Sequence, residues 1–316
     1  MMSSTVPVGR SVHVKVPATT ANLGPGFDTL GIALSLYDEL TATVLDSGAT
    51  RVTVRGVGDG TVATDDTNLV VQSMAATFAH FGIPVPIVDL VCDNRIPHGR
   101  GMGSSGAAIV GGIMVAKGLL DGIVDIDAQG LLDVATQMEG HPDNVAPALF
   151  GGLSIAWMTE TGPQHKKLTV HRGVSLLVVV PRDMTMSTKV ARDLQPDTVP
   201  HEDAVFNVSR SALLIAALLQ SPELLHAATE DKLHQEYRAE AMPETIALIR
   251  RLRDEGFAAV VSGAGPSVLV LTDDPLERAR AASIVDKSKD TAWECLMLAV
   301  DFKGATVVVL PDGDGL

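Results

Sequence analysis

The sequence predicts an α+β fold in two domains, and three observations predict it. The chain is 316 residues long, more than one hydrophobic core usually organises. Strand-like and helix-like stretches alternate without the regular rhythm of a parallel sheet. Apolar residues make up 46% of the chain but aromatics only 3%, so a compact core of Ala, Val, Leu and Ile is expected.

Residues 12–16 alternate as a strand, and PATTANLGPGFDTLG reads as the loop after it. Strand-like runs follow at 40–45 and 51–57. Residues 68–81 carry Leu69, Met74 and Phe78 at helical spacing, and 87–92 return to a strand. RIPHGRGMGSSG is a glycine-rich loop opening onto 105–120, apolar nearly all round and therefore a buried helix. Asp127 is placed to cap a helix reaching Glu139, which the turn GHPDN ends. Residues 153–157 and 176–180 are strand-like. Beyond them, 203–220 and 222–238 read as helices, and Pro243 opens another that Gly256 ends. A strand at 257–261, the turn GAGPS and a strand at 268–271 follow, then a helix at 275–285 and a strand at 295–300. The polar stretch TGPQHKKL places a domain boundary near 165–175, giving domains at 10–170 and 171–310.

The formal charge of −14 repels phosphate backbones, so nucleic acid is not an expected partner. It repels free nucleotides too, so a nucleotide site would need backbone amides and a divalent cation to neutralise charge locally. Cys92 and Cys295 lie in no ligand or C-x-x-C spacing and read as reduced core thiols. No signal peptide or membrane-spanning run is apparent, and a cytoplasmic enzyme with no membrane partner is expected.

GMGSSG, residues 101–106, formally matches G-x-G-x-x-G. It does not directly follow a strand as a dinucleotide fingerprint would, lacks the G-K-[ST] of a Walker loop, and has no protein-kinase motifs downstream. Gly101 and Gly103 let main-chain N–H groups close on an anion, Ser104 and Ser105 add hydroxyls, and the helix N-terminus adds partial positive charge. On its own the loop is equally a tight turn capped by serine before a buried helix.

IPHGRGMGSSGAA resembles the P-x-x-x-G-[LM]-G-S-S-[AG]-A loop of the GHMP kinase superfamily. VPATTANLGPGFDTLG and VVSGAGPSVLVL resemble that superfamily's N-terminal and C-terminal motifs, in the right order over nearly the whole chain. PATTANLGPGFD, EGHPDNVAP, STKVARDLQP, FNVSRSALLIAAL and HQEYRAEAMP resemble the homoserine kinases within it, and the form of EGHPDNVAP resembles actinobacterial members. Gly106 stands where many of them have alanine, and Met102 where many have leucine; neither change disturbs the loop.

The resemblance implies a two-domain GHMP kinase fold. Its N-terminal domain would carry a left-handed β-α-β crossover and its C-terminal domain would be ferredoxin-like, with the ligands between them. It implies phosphorylation of the side-chain hydroxyl of L-homoserine by ATP with Mg²⁺, on the route to threonine, by a family that is often dimeric, so a homodimer is one expected state. The alternatives are a relative acting on a sugar, mevalonate or shikimate, and a nucleotide-binding regulator without catalysis.

By the same resemblance, Pro97, Gly99, Arg100, Gly101, Met102, Gly103, Ser104, Ser105, Gly106 and Ala107 hold ATP, and Ser105 and Glu139 hold Mg²⁺. Glu139 also falls at the expected C-terminal end of a helix, where the dipole disfavours an unpaired anion, although an exposed helix-end glutamate is the plainer reading. Asn22, Asp28, His141, Asn144, Arg192 and Arg238 contact homoserine. The two arginines suit a carboxylate, because a guanidinium can grip it bidentately; from the residues alone they are surface arginines. Asp28 holds the ammonium or the hydroxyl, or is a turn residue. His141 is a ligand or a hydrogen-bonded structural histidine. Asn144 and Asp28 are the candidate catalytic residues. Asn144 occupies a position near which several relatives place an aspartate, so no strong general base is expected and positioning must do the work. Gly263 and Gly265 form a plain turn or one that approaches the phosphate loop.

Overall fold

In the computed structural model, which describes residues 5–286 and 291–311, Val12, Val14 and Val16 are buried while His13 and Lys15 are partly exposed, the alternation expected of a strand with one face on a core. This strand, β1 (Ser11–Ala21), runs further than its sequence suggests. PATTA continues it, because the pairing register shifts between Pro17 and Ala18 and a bulge can accommodate the proline. Strand β2 (Leu30–Val44) is also longer than its expected run, and antiparallel to β1.

Strand β3 (Arg51–Gly56) leads through α1 (Leu69–His80) to β4 (Val88–Asn94), which it joins in the one parallel pairing among the described strands. The helix starts where expected, with Asn68 accepting from the Val70 N–H at 2.9 Å. Helix α2 (Ser104–Leu119) is buried along most of its length. It fits closely against α1, since a Cβ on Gly112 would overlap the Val70 carbonyl. Asp127 caps α3 (Ala128–Glu139) by accepting from Gly130 N–H at 2.8 Å.

The turn expected at GHPDN is instead the start of a further helix, α4 (Pro142–Phe150). Pro142 stands at its first position, where the missing N–H costs nothing. Strand β5 (Leu153–Thr159) pairs with β2 and with β6 (Gly162–Leu168). TGPQHKKL, the polar stretch beside the expected domain boundary, thus contributes a strand, outermost in the sheet.

A second sheet has the order β10-β7-β9-β8, with neighbours antiparallel. Its strands are β7 (Ser175–Pro181), β8 (Ala258–Val261), β9 (Val268–Thr272) and β10 (Trp293–Leu298). Numbered within the sheet this is 4-1-3-2, the ferredoxin-like arrangement. Helices α5 (Thr188–Asp193), α6 (His201–Leu219), α7 (Leu225–Ala228) and α8 (Pro243–Asp254) lie between β7 and β8, and α9 (Pro275–Val285) between β9 and β10. Alternate residues of the sheet face two cores. Leu177, Val179, Val261 and Val270 meet α8 and α9, while Leu176, Val178, Val260 and Leu269 join the core of the first sheet.

The helix expected over 222–238 is broken. Asp231 accepts the main-chain N–H groups of Leu233, His234 and Gln235, an aspartate competing locally with helical hydrogen bonding. Helix α5 and a last strand, β11 (Thr306–Val309), were not anticipated. The latter returns to the first sheet and pairs with β1.

Candidate active site

The cleft is built around the N-terminus of α2. Gly103, at φ 69°, precedes that helix and no side chain caps it, so the serine-capped turn is not what forms. The first-turn N–H groups, which every α-helix leaves without intrahelical partners, meet an open cleft instead. Gly99, Gly101, Gly103, Ser104, Ser105, Glu139, Asn144, Ser187, Thr188 and Gly263 line it. Ser105 Oγ donates to Glu139 Oε2 at 3.1 Å. Glu139 is the last residue of α3, as expected, and burial pushes its pKa above the usual carboxylate value, with His141 and the Ser105 hydrogen bond pulling the other way.

Within the phosphate loop the expected residues divide. Gly101, Gly103, Ser104 and Ser105 face the cleft, and Gly99 lines it while its carbonyl accepts from Met186 N–H at 2.8 Å. Gly106 lies beneath, with an added Cβ falling 3.5 Å from that of Asn144. Met102 and Ala107 are core residues, and Pro97 belongs to the turn before the loop. Arg100 is a strut: its guanidinium donates to the carbonyls of Pro181 at 2.8 Å, Arg182 at 2.6 Å and His98 at 3.2 Å, tying the loop to the end of β7.

An ionic group lies close by, near enough to act on Glu139 and His141. Arg192, on α5, donates to both carboxylate oxygens of Asp28, at 2.9 and 3.1 Å. Arg238 is 2% exposed; its Nε donates to the Ala191 carbonyl at 3.1 Å and its Nη1 to that of Gly263 at 3.4 Å. Burial brings its pKa down to about 10, so it stays charged at neutral pH. His141 bonds Asp143 at 2.9 Å through Nδ1, and that bond raises its pKa. Asn144 accepts from Thr19 Oγ1 at 3.0 Å, which leaves its NH₂ end for the cleft. Asn22 sits behind the site: its carboxamide donates to Gly263 O at 2.9 Å and accepts from Asp28 N–H at 3.0 Å.

Gly263 joins the phosphate loop to Arg238. At φ 56° its main chain packs against Gly101, its added Cβ falling 3.1 Å from the Gly101 carbonyl oxygen. Its own carbonyl serves both Asn22 and Arg238. The GAGPS turn therefore approaches the phosphate loop and is more than a plain turn.

Four further residues at the cleft are not among those expected from the sequence, although Thr19, Ser187 and Thr188 lie within motifs that carry the family resemblance. Ser262 Oγ donates to Gly101 O at 2.6 Å, Thr19 holds Asn144, and Ser187 and Thr188 line the cleft. A second pocket on the far side of Ser104, lined by Val62, Asn68, Asn94 and His98 among others, was missed as well.

The comparisons agree on one family. Residues 68–152 match the GHMP kinases N terminal domain and 213–290 the GHMP kinases C terminal domain. The chain is 67% identical over 312 residues to the homoserine kinase of Clavibacter michiganensis subsp. michiganensis, covering 99% of this chain and 98% of that one. It is 70% identical over 299 residues to the homoserine kinase of Leifsonia xyli subsp. xyli, covering 95% and 92%. The chain belongs to the homoserine kinase family. The crystal structure of homoserine kinase from Cytophaga hutchinsonii superposes with a TM-score of 0.83 at 26% identity, covering 98% of each chain. Mevalonate diphosphate decarboxylase from Staphylococcus aureus, at 14% identity and a TM-score of 0.68, shares the fold.

The donor set suits Mg²⁺. Among the described residues no three His, Cys, Asp or Glu side chains gather as a metal cage. A partly buried carboxylate beside an exposed hydroxyl, next to a phosphate cradle, is the arrangement a cation sharing its shell with phosphate oxygens and water requires. Among the described residues, no helix is long and apolar enough to cross a membrane.

Proposed function

We propose that the chain transfers the γ-phosphoryl group of ATP to the side-chain hydroxyl of L-homoserine, giving ADP and O-phospho-L-homoserine. The observation that supports this reading is the contact through Gly263, whose main chain packs against Gly101 of the phosphate loop while its carbonyl accepts from Arg238.

The N–H groups around 101–106 take the polyphosphate, and the pocket beside Asn68 and His98 takes the base. Ser105 and Glu139 hold Mg²⁺, which neutralises charge on the phosphate oxygens when bound. Arg192 and Arg238 take the α-carboxylate and Asp28 the ammonium. Asn22 keeps the Asp28 main chain in place, and His141 lines the same end. The hydroxyl oxygen forms its bond to the γ-phosphorus as the bond to the ADP oxygen breaks, and its proton leaves with the new phosphate group.

Three described carboxylates at the site each have a partner: Glu139 is bonded by Ser105, Asp28 by Arg192, and Asp143 by His141. Asn144 turns a donor toward the hydroxyl, consistent with a loose transition state governed by positioning. The two domains, 10–170 and 171–310, would contribute the nucleotide loop and the arginines respectively.

An ADP-release assay with homoserine, threonine, serine, shikimate and mevalonate tests this reading. Homoserine is expected to support turnover well above the others. Turnover on shikimate or mevalonate alone, or nucleotide binding without turnover on any of them, overturns it. Asn144→Ala is expected to lower kcat by about 10²-fold; unchanged turnover removes Asn144 from the scheme.

A further inference from the structure

The loop that carries Asp28 is held in an unfavourable shape. Asn22, Leu23 and Asp28 have φ of 71°, 52° and 52°, values that non-glycine residues keep only when their surroundings hold them. The holders come from the second half of the chain. Asn207 Nδ2 and Ser211 Oγ donate to Pro25 O at 2.9 and 2.6 Å, and His234 Nε2 donates to Gly24 O at 2.8 Å.

His234 differs from the other two. It is wholly buried and its Nδ1 has no hydrogen-bond partner. Such an orphaned atom is uncommon and asks for a reason. An aliphatic side chain would fill the space without it. What the imidazole adds is a donor and a flat face together. Its ring stacks on Phe27 at 4.8 Å and 16°, and the guanidinium carbon of Arg238 lies 5.3 Å from the same Phe27 ring. Burial pushes the His234 pKa below its ordinary value, although the Asp231 carboxylate is 3.7 Å from Nε2. A neutral ring that donates through Nε2 leaves Nδ1 as the bare nitrogen.

We propose that His234 is a positioning residue for the homoserine end of the site, fixing Asp28 through Gly24 and Phe27, and Arg238 through the Phe27 ring. The proposal rests on the placement of the homoserine ammonium and carboxylate at Asp28, Arg192 and Arg238. Glutamine can keep a donor near the position of Nε2 but has no ring. Leucine keeps bulk and loses both features.

The test is steady-state kinetics with each substrate varied, on His234→Leu, His234→Gln, Phe27→Leu and Asp28→Asn, with thermal melts alongside. For His234→Leu we expect the KM for homoserine to rise about 10-fold while the KM for ATP stays within about twofold, the split that separates positioning from general loosening. His234→Gln should recover most of that rise, and Phe27→Leu, which leaves the Gly24 hydrogen bond in place, should show a smaller rise of the same kind. If His234→Leu does not fold, the remaining variants still decide: His234→Gln near wild type with Phe27→Leu impaired for homoserine alone supports the proposal. Equal changes in both KM values, or glutamine no better than leucine, overturns it. If Asp28→Asn leaves the KM for homoserine unchanged, the substrate placement itself fails and the proposal with it. If Asp28→Asn raises it and neither His234→Leu nor Phe27→Leu does, the placement stands and only the role of His234 fails.

Discussion

Gly101→Ala adds one methyl group where the main chain has a φ of 68°. The new Cβ would overlap the Ser262 carbonyl oxygen and lie 2.9 Å from the Gly265 nitrogen. Both are main-chain atoms and cannot rotate aside. A left-handed alanine alone costs about 1–2 kcal/mol, and forcing two backbone segments apart adds about 1–3 kcal/mol. Gly122→Ala isolates the first contribution, since Gly122 has a φ of 75° and nothing within 4 Å of its added Cβ. At about 2–4 °C per kcal/mol for a domain of this size, Gly101→Ala should lower Tm about twice as far as Gly122→Ala. The displacement falls on the phosphate loop, so the KM for ATP should rise at least ~10-fold, about 1.4 kcal/mol, with a smaller effect on homoserine. Gly106→Ala, in the same motif, meets only ordinary contact at 3.5 Å and lies within the first turns of α2, so it should stabilise by about 0.5–1 kcal/mol and leave the ATP kinetics intact. The assay is coupled ADP release with ATP titrated at saturating homoserine, beside thermal melts. A Gly101→Ala enzyme with wild-type KM for ATP and no greater Tm loss than Gly122→Ala would refute the reasoning.

Arg238→Ala removes a buried cation and leaves the Ala191 and Gly263 carbonyls without its hydrogen bonds. The KM for homoserine should rise about 100-fold, roughly 3 kcal/mol, far more than the KM for ATP; Arg238→Lys should not restore it, and equal effects on both substrates contradict the carboxylate role. Glu139→Gln should raise the Mg²⁺ concentration needed for half-maximal activity about 10-fold, and an unaltered Mg²⁺ requirement excludes Glu139 as a ligand. Asp38 is buried, and that burial raises its carboxyl pKa despite hydrogen bonds from the N–H groups of Ile96 and Arg95. A folded pKa above the unfolded one means its stabilising contribution is complete below about pH 4 and fades as pH rises through the folded value. The Tm of Asp38→Asn relative to wild type should therefore improve between pH 4 and pH 7, and a difference independent of pH would exclude this account.

By itself the sequence determined what a few neighbouring residues decide. Asp127 starts a helix because its side chain reaches an N–H three residues on. The apolar run after GMGSSG declares a buried helix, and the glycines before it declare a backbone that can close on an anion. The order of the three family motifs extended this to the family and the chemistry. Tertiary structure decided the rest. PATTA is strand and TGPQHKKL is strand because partners far along the chain supply their hydrogen bonds, and 306–309 pairs with β1 for the same reason. Residues 222–238 do not hold one helix because Asp231 takes the N–H groups that would continue it. Ser262 reaches Gly101 across 161 positions and Asn22 reaches Gly263 across 241. A pattern of local spacing records no such pairing, since what selects those residues is the shape of a fold that exists only once both sheets have closed around the cleft.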